Sequence, residues 1–210
     1  MPTIAGREEM YQHCRQAYEE QGCGPHQLEF ITEHGHHAVG MAWQAGGSKA
    51  TGDYIHLTND DCEPRPGWWQ AAIEAVEAGN VPCPMVYGVD GTPQSPPVWG
   101  QVAPDWTPVH VMTVPFMSRA QWEKIQPLFT AHYFTDNFIT DRAVAAGWPC
   151  VLRIGYAFTH LWAQHGRGAW LGSENARLDH DRPLYEQALA MVKAGEWNEP
   201  WPPNGGLGDL

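Results

Sequence analysis

The sequence predicts an α/β layer fold, on three observations. Helix-spaced and strand-like segments alternate along the chain, a pattern that stacks helices on a sheet and places ligands at the carboxyl ends of the strands. Hydrophobic residues make up 43% of the 210 residues and charged ones 17%, the balance of a packed domain and not of a disordered chain. No apolar run approaches the roughly 20 residues that span a bilayer, and no signal-peptide pattern opens the chain, which predicts a cytoplasmic protein. The length suits one domain with a core of its own.

The elements follow in order. Residues 7–21 carry Met10, Cys14, Ala17 and Tyr18 at helical spacing, with acids early and Gly22 and Gly24 as the stop. Leu28 to Thr32 is a short strand, followed by the turn-rich His34-Gly35-His36-His37. Val39 to Thr51 reads as a second helix, weakened by Gly40, Gly46 and Gly47. Gly52-Asp53 turns into a β-branched and aromatic strand, Tyr54 to Thr58. Pro64 and Pro66-Gly67 mark a loop before a third helix, Trp68 to Ala78, and a strand, Val81 to Val86. Proline and glycine dominate Gly88 to Pro108, which reads as a long loop. Val109 to Phe116 is a strand, and Ser118 caps a helix that starts near Arg119. Asp136 to Ala146 is helical and closed by Gly147; Cys150 to Phe158 is extended and ends at Thr159-His160. The Pro-, Gly- and Trp-rich residues 196–210 form a tail that is loose or laid over the surface.

Charge and cysteine usage narrow the function. There are 24 acidic and 12 basic residues, a formal charge of −12. Such a chain does not attract a polyanion over its whole surface, because phosphate neutralisation needs clustered Lys and Arg. One local cluster exists: Arg153, Arg167, Arg177 and Arg182 share a late stretch with His160, His165 and His180. The five cysteines (14, 23, 62, 83 and 150) are odd in number and never spaced CxxC, so they read as reduced, buried thiols. Eleven tryptophans suit both core packing and stacking on sugars or bases.

The chemistry concentrates in Gly52-Asp-Tyr-Ile-His-Leu-Thr-Asn-Asp-Asp61, followed by Pro66-Gly-Trp-Trp69. Two carboxylates in a turn at a strand end form a hard oxygen site for a divalent cation. A diphosphate leaving group gathers negative charge as it departs, and a bound cation neutralises it. An Asx-turn with a helix cap uses the same residues without chemistry.

With these residues in hand, the chain resembles the family 2 glycosyltransferases of the GT-A fold. Those chains commonly read Gly-Asp-Tyr-Ile, three apolar residues, Asp-x-Asp, then Pro-Gly-Trp. The preceding Asn-x-Gly-x-x-x-Ala-x-Gly of the family appears as Gln44-Ala-Gly46-Gly-Ser-Lys-Ala50-Thr-Gly52. Pro2-Thr3 with Arg7 resembles the opening Pro-Thr loop, and Glu29-Phe-Ile-Thr-Glu33-His-Gly35 resembles the strand ending in Asp-Asp-Gly-Ser. Thr135-Asp136 with Arg142 and Ala146-Gly147-Trp148 resembles the Glu-Asp helix, and Tyr156-Ala-Phe-Thr-His160 the closing strand. The resemblance runs in order over about residues 2–165, which makes it far more specific than any one motif.

It implies a single GT-A-like, Rossmann-like domain over 1–195, with a mostly parallel twisted sheet flanked by helices, followed by the tail 196–210. It implies a glycosyltransferase that moves a hexose from a nucleotide-sugar to an acceptor hydroxyl with inversion. Asp136 is then the catalytic base. Asp61 and His160 hold Mn²⁺ or Mg²⁺; the imidazole favours Mn²⁺. Thr3, Arg7, Glu33, Gln44, Asn59 and Asp60 line the donor, a uridine nucleotide by family habit. Trp99 and Trp106, in the polar flap, stack on the acceptor. Compact members of this kind resemble phage-encoded transferases, some of which glycosylate hydroxymethylated pyrimidines in DNA. That makes modified DNA the leading specific acceptor, ahead of a protein or glycan hydroxyl, and the host cytoplasm the setting if phage-encoded. The arginine cluster would meet DNA phosphates. Departures stand beside the match. Asn59 and Thr135 replace acids, and the family's membrane helices are absent. Its first strand is nearly absent too, so either the start is truncated or the sheet lacks one central strand's worth of burial.

Two other classes share these residues. A metal-dependent phosphoesterase would use Asp60, Asp61 and histidines and release phosphate without an acceptor. A non-catalytic sugar-binding module would keep the fold and lose the base, against which Asp136 argues. His34, His36 and His37 offer imidazoles, but adjacent loop histidines without a carboxylate or Cys partner more often face solvent.

Overall fold

The computed structural model describes residues 2–3, 7–34, 38–95, 104–109, 114–131, 133–161 and 171–202. The expected α/β fold is present, with a mixed sheet flanked by helices. The elements are β1 (Pro2–Thr3), α1 (Glu8–Gln21), β2 (Glu33–His34), α2 (Val39–Lys49), β3 (Tyr54–His56), β4 (Cys62–Pro64), α3 (Trp68–Glu77), β5 (Val81–Gly88), β6 (Pro93–Ser95), β7 (Phe116–Ser118), α4 (Arg119–Ile125), α5 (Thr135–Ala145), β8 (Cys150–His160) and α6 (Leu171–Ala194). Among the described strands, β1–β2 and β5–β8 pair parallel, whereas β3–β7, β4–β8 and β5–β6 pair antiparallel. The sheet is therefore mixed, because β4 and β6 return as short antiparallel edges on the β5–β8 pair.

Central β5 is buried along nearly its whole length, as its unbroken apolar run requires. Around it, Trp43, Ile55, Met117, Trp122, Ile139 and Cys150 form one core cluster. Tyr18, Trp68, Phe116, Tyr156 and Phe158 form a second, aromatic one. His56 lies inside the aromatic cluster, stacked on Phe158 and bonded to the hydroxyls of Tyr18 (2.8 Å) and Tyr156 (3.1 Å). Burial holds it neutral, with a pKa lowered to about 3. All five cysteines are free and buried, as expected.

Helix α2 forms despite its glycines because two of them are needed for close approach. A Cβ on Gly40 would lie 2.5 Å from Thr135 Oγ1 and 2.6 Å from the Phe129 carbonyl; one on Gly47 would lie 2.4 Å from the Trp122 ring. Helix α4 starts on a full capping box, Ser118 with Gln121.

Five elements differ from the sequence reading. β6 (Pro93–Ser95) is a short strand inside the loop expected at 88–108. Leu28 to Thr32 joins no ladder, because β1 offers only Pro2–Thr3 as a partner, opposite Glu33–His34. Residues 27–31 instead flank a cavity of ≈ 620 Å³ that reaches across to residues 50–58. Of the strand expected at 109–116, residues 110–113 lie outside the described residues; Phe116–Ser118 pairs with β3, and Val109 donates its amide to the Cys150 carbonyl of β8. Cys62–Pro64 is a strand and not a loop. Helix α6 was not expected, since Pro183 and the charges around it hide the periodicity of Leu184, Ala188 and Val192. These residues pack with Phe129 and Phe138, as does Trp197, whose Nε1 donates to the Pro127 carbonyl at 2.7 Å. Residues 196–202 thus lie against the rest of the chain; Thr130 N donates to the Trp201 carbonyl at 2.8 Å. Among the described residues no helix is long and apolar enough to cross a membrane.

Candidate functional site

Asn59, Asp60 and Asp61 form the turn between β3 and β4, closed by Cys62 N on the Asn59 carbonyl. β4 then pairs antiparallel with β8 so that Cys62 faces His160, and Leu161 N donates to the Asp61 carbonyl at 2.8 Å. This register brings two residues about a hundred positions apart together: His160 Nε2 lies 3.4 Å from Asp61 Oδ2. Arg7, at the start of α1, reaches the same turn. Its Nη2 donates to Asp61 Oδ2 at 2.6 Å and lies 3.1 Å from Asp60 Oδ1.

Both aspartates are buried, and burial alone would raise the Asp61 pKa. The hydrogen bond and charge of His160 and the Arg7 guanidinium outweigh it and lower the pKa to about 2. Asp61 is therefore held toward its ionised form.

Behind the turn opens a cavity of ≈ 250 Å³, lined by Asn59, Cys62, Thr135, Asp136 and His160 among others. Asp136 sits in the first turn of α5, where the Asn137 amide donates to its Oδ1 at 2.9 Å. Burial dominates that contact and pushes its pKa up to about 6. A carboxylate that releases its proton near pH 6 is suited to general-base work near neutrality. The residue before α5, Phe134, holds a left-handed backbone at φ 66°, stacks on Tyr185 and lines the same cavity. Such strain in a non-glycine residue clusters at functional sites.

The residues present fit a divalent cation. Two ligands on one ion at bond lengths of about 2.1 Å are roughly 3.0–3.5 Å apart, and Asp61 Oδ2 and His160 Nε2 are 3.4 Å apart. The Arg7 guanidinium already sets a positive charge against the same oxygen. Asn59 Oδ1 is buried with no hydrogen-bond partner among the described residues. No group of three or more His, Cys, Asp or Glu stands together among the described residues, so an ion here would need further ligands from substrate or water.

The other expected site residues fall as follows. Thr3 pairs through its backbone with His34 beside Glu33. Glu33 is buried and ion-paired with Lys49 at 2.6 Å. Gln44 spends its amide on structure: Nε2 donates to Ser48, and Oε1 accepts from Leu128 N at 2.7 Å. Trp99, His36, His37, His165 and Arg167, and the side chains of Thr3, His34 and Arg177, lie outside the described residues. Trp106 lines neither cavity; its ring carries the Arg153 guanidinium at 3.9 Å. Arg153 corrects the reading of the arginine cluster. It is buried and neutralised by Glu74 (2.5 Å) and Asp105 (2.7 Å), so its charge does not face a cleft. Arg182 remains, over the Phe134 ring at 5.3 Å. The sequence reading also missed Gln94, whose Oε1 lies 3.3 Å from His160 Nδ1. Nothing local marks it, since its role depends on which strands pair.

Residues 8–134 match the family Glycosyl transferase family 2, more than half of the chain. No curated protein matches the chain. The matched span covers the carboxylate turn and stops two residues before Asp136. With its α/β fold of mixed sheet and flanking helices, the chain belongs to glycosyl transferase family 2 and is a glycosyltransferase that takes its sugar from a nucleotide-sugar donor.

Proposed function

We propose that the chain is a metal-dependent, inverting hexosyltransferase whose donor lies against the Arg7–Asp60–Asp61 turn and whose acceptor hydroxyl enters the cavity beside Asp136. The carrying observation is the shared cavity of Asp136 and His160, with His160 in contact with Asp61. Asp61 and His160 would hold Mn²⁺ or Mg²⁺, which as a Lewis acid neutralises charge on the leaving diphosphate. Arg7 adds a cation to that same face, and Arg is well suited to phosphate oxygens. Thr3 and Glu33 border the nucleotide, a uridine nucleotide by preference, and Asn59 offers its amide oxygen to the donor. Gln44 acts at one remove, fixing α2 against the segment before α5.

The acceptor oxygen attacks the anomeric carbon as the bond to the diphosphate oxygen breaks. The electron pair leaves with the diphosphate, and the acceptor proton passes to Asp136. The released proton therefore stays in the pocket, on a group whose pKa of about 6 favours giving it up again.

Hydroxymethylated DNA is the acceptor to test first; Arg182 lies over the ring of Phe134, which lines the cavity. The test is incubation with Mn²⁺, a panel of nucleotide sugars and either hydroxymethylated or unmodified DNA, followed by mass analysis of the nucleosides at low salt. A hexose on the modified base alone supports the reading. Its absence there, with transfer to a protein or glycan hydroxyl, moves the acceptor to that class. Release of phosphate or free sugar with no acceptor turns the reading toward a hydrolase.

A further inference from the structure

We propose that Gln94 is a positioning residue for His160: it takes the Nδ1 proton and so presents the Nε2 lone pair to the site. This rests on the reading of His160 as a cation ligand.

β5 lies between β6 and β8, so a side chain on β6 meets one on β8 only by passing over β5. At the crossing point β5 ends in Gly88, which pairs with His160 in the parallel ladder. Gly88 has no side chain, and a Cβ there would lie 2.8 Å from Gln94 Nε2. The gap at Gly88 is thus the passage through which Gln94 reaches His160, with Oε1 3.3 Å from Nδ1.

The hairpin that carries Gln94 is firmly set. Gly88 N donates to the Thr92 carbonyl at 2.8 Å, and Asp90 Oδ1 accepts from both Thr92 N (3.0 Å) and Thr92 Oγ1 (2.6 Å). Pro93 pairs with Tyr87 and Ser95 with Val86, on either side of Gln94. The amide is held in place by its own strand and not by chance at a loop tip.

The chemical consequence follows from the two ring nitrogens. An acceptor at Nδ1 keeps a proton on that nitrogen, so that when a cation takes the place of the Nε2 proton beside Asp61, the ring stays neutral and offers its Nε2 lone pair. A ligating histidine needs that lone pair, and partners on its second nitrogen typically change metal affinity about 10–100-fold. Asp61 Oδ2 lies on the Nε2 side, so Gln94 and Asp61 bracket the ring from opposite nitrogens.

The test measures Mn²⁺ affinity of the full chain without donor or acceptor, by the free Mn²⁺ resonance signal and by calorimetry. Gln94→Leu should weaken Mn²⁺ binding about 10–100-fold. Gln94→Glu, which also accepts at Nδ1, should restore it to within a few-fold of the parent. Gly88→Ala, whose Cβ would lie 2.8 Å from both Gln94 Nε2 and Asp90 Oδ1, crowds the passage and the turn that carries Gln94, and should fall with Gln94→Leu. With Mg²⁺ bound, imidazole nitrogen shifts of His160 should report a proton on Nδ1 and none on Nε2 in the parent, and loss of that pattern in Gln94→Leu. Parent-like Mn²⁺ affinity and tautomer in Gln94→Leu, with His160→Ala impaired, overturns the role of Gln94. Parent-like Mn²⁺ affinity in His160→Ala overturns the ligand reading beneath it. If Gln94→Leu does not fold, Gln94→Glu and Gly88→Ala decide the matter by the same two readouts.

Discussion

At the scale of single residues, two carboxylates are set to different tasks by their surroundings. Asp61 meets Arg7 and His160 and stays ionised; Asp136 sits in a pocket and is pushed up to about 6. On the proposed mechanism Asp136 takes the acceptor proton and must enter unprotonated, so kcat/KM should rise with pH through about 6 and flatten above it. Asp136→Asn should lower turnover by about 10²–10⁴-fold while donor binding persists, which separate kinetic and calorimetric titrations check. Equal loss of donor affinity would make Asp136 a binding group. Asp61→Asn should abolish turnover. Its burial against Arg7 predicts in addition a loss of about 1.5–3 kcal/mol by chemical denaturation, the usual worth of a hydrogen bond to a charged group. Asp61 and Asp136 were both legible in the sequence, because each stands in a local motif at an element end. Gln94 and Phe134 were not, because a hydrogen bond across Gly88 and a left-handed φ depend on partners far along the chain.

At the scale of elements, the site is assembled by register. Cys62 opposite His160 is the pairing that brings Asp61 to the end of β8, and Pro64 in β4 hid that strand from local reading. The helices were easier to read, since apolar spacing and caps such as Ser118 are local signals. Helix α2 is the instructive case. Its glycines argued against a helix, yet they are what lets it approach α4 and the start of α5. Gly40→Ala and Gly47→Ala should each destabilise the fold by about 1–3 kcal/mol through overpacking, despite alanine's better helix propensity. Urea unfolding measures this, and a stabilised Gly40→Ala would show that α2 is not held against Thr135. Gly40→Ala should also reduce turnover, because Thr135 and Asp136 share the first turn of α5.

At the scale of the whole molecule, burial and charge set the response to pH. His56 is neutral in the fold, with a pKa of about 3, whereas its ordinary value is 6.5. The unfolded chain therefore binds the extra proton first as pH falls, and stability should decline from about pH 6.5 toward 3. Asp136 acts in the opposite direction, because its folded pKa lies above 3.8: it lowers stability as pH rises from about 4 to 6. Asp136→Asn should thus steepen the acid loss in that window, as thermal midpoints across pH would record. The α/β class and single layered architecture were legible from alternation and from the ordered motifs. The mixed pairing, α6 and the seating of Trp197 were not, because each depends on contacts between distant segments. The central claim is that a divalent cation on Asp61 and His160 holds the donor diphosphate in this fold. The most direct measurement is calorimetric titration with a panel of nucleoside diphosphates, with Mn²⁺ or with excess chelator, on the parent and on Asp61→Asn. The account predicts binding of at least one nucleotide with Mn²⁺, and loss of it both in chelator and in folded Asp61→Asn. Undiminished nucleotide binding in chelator, or in Asp61→Asn, would contradict it.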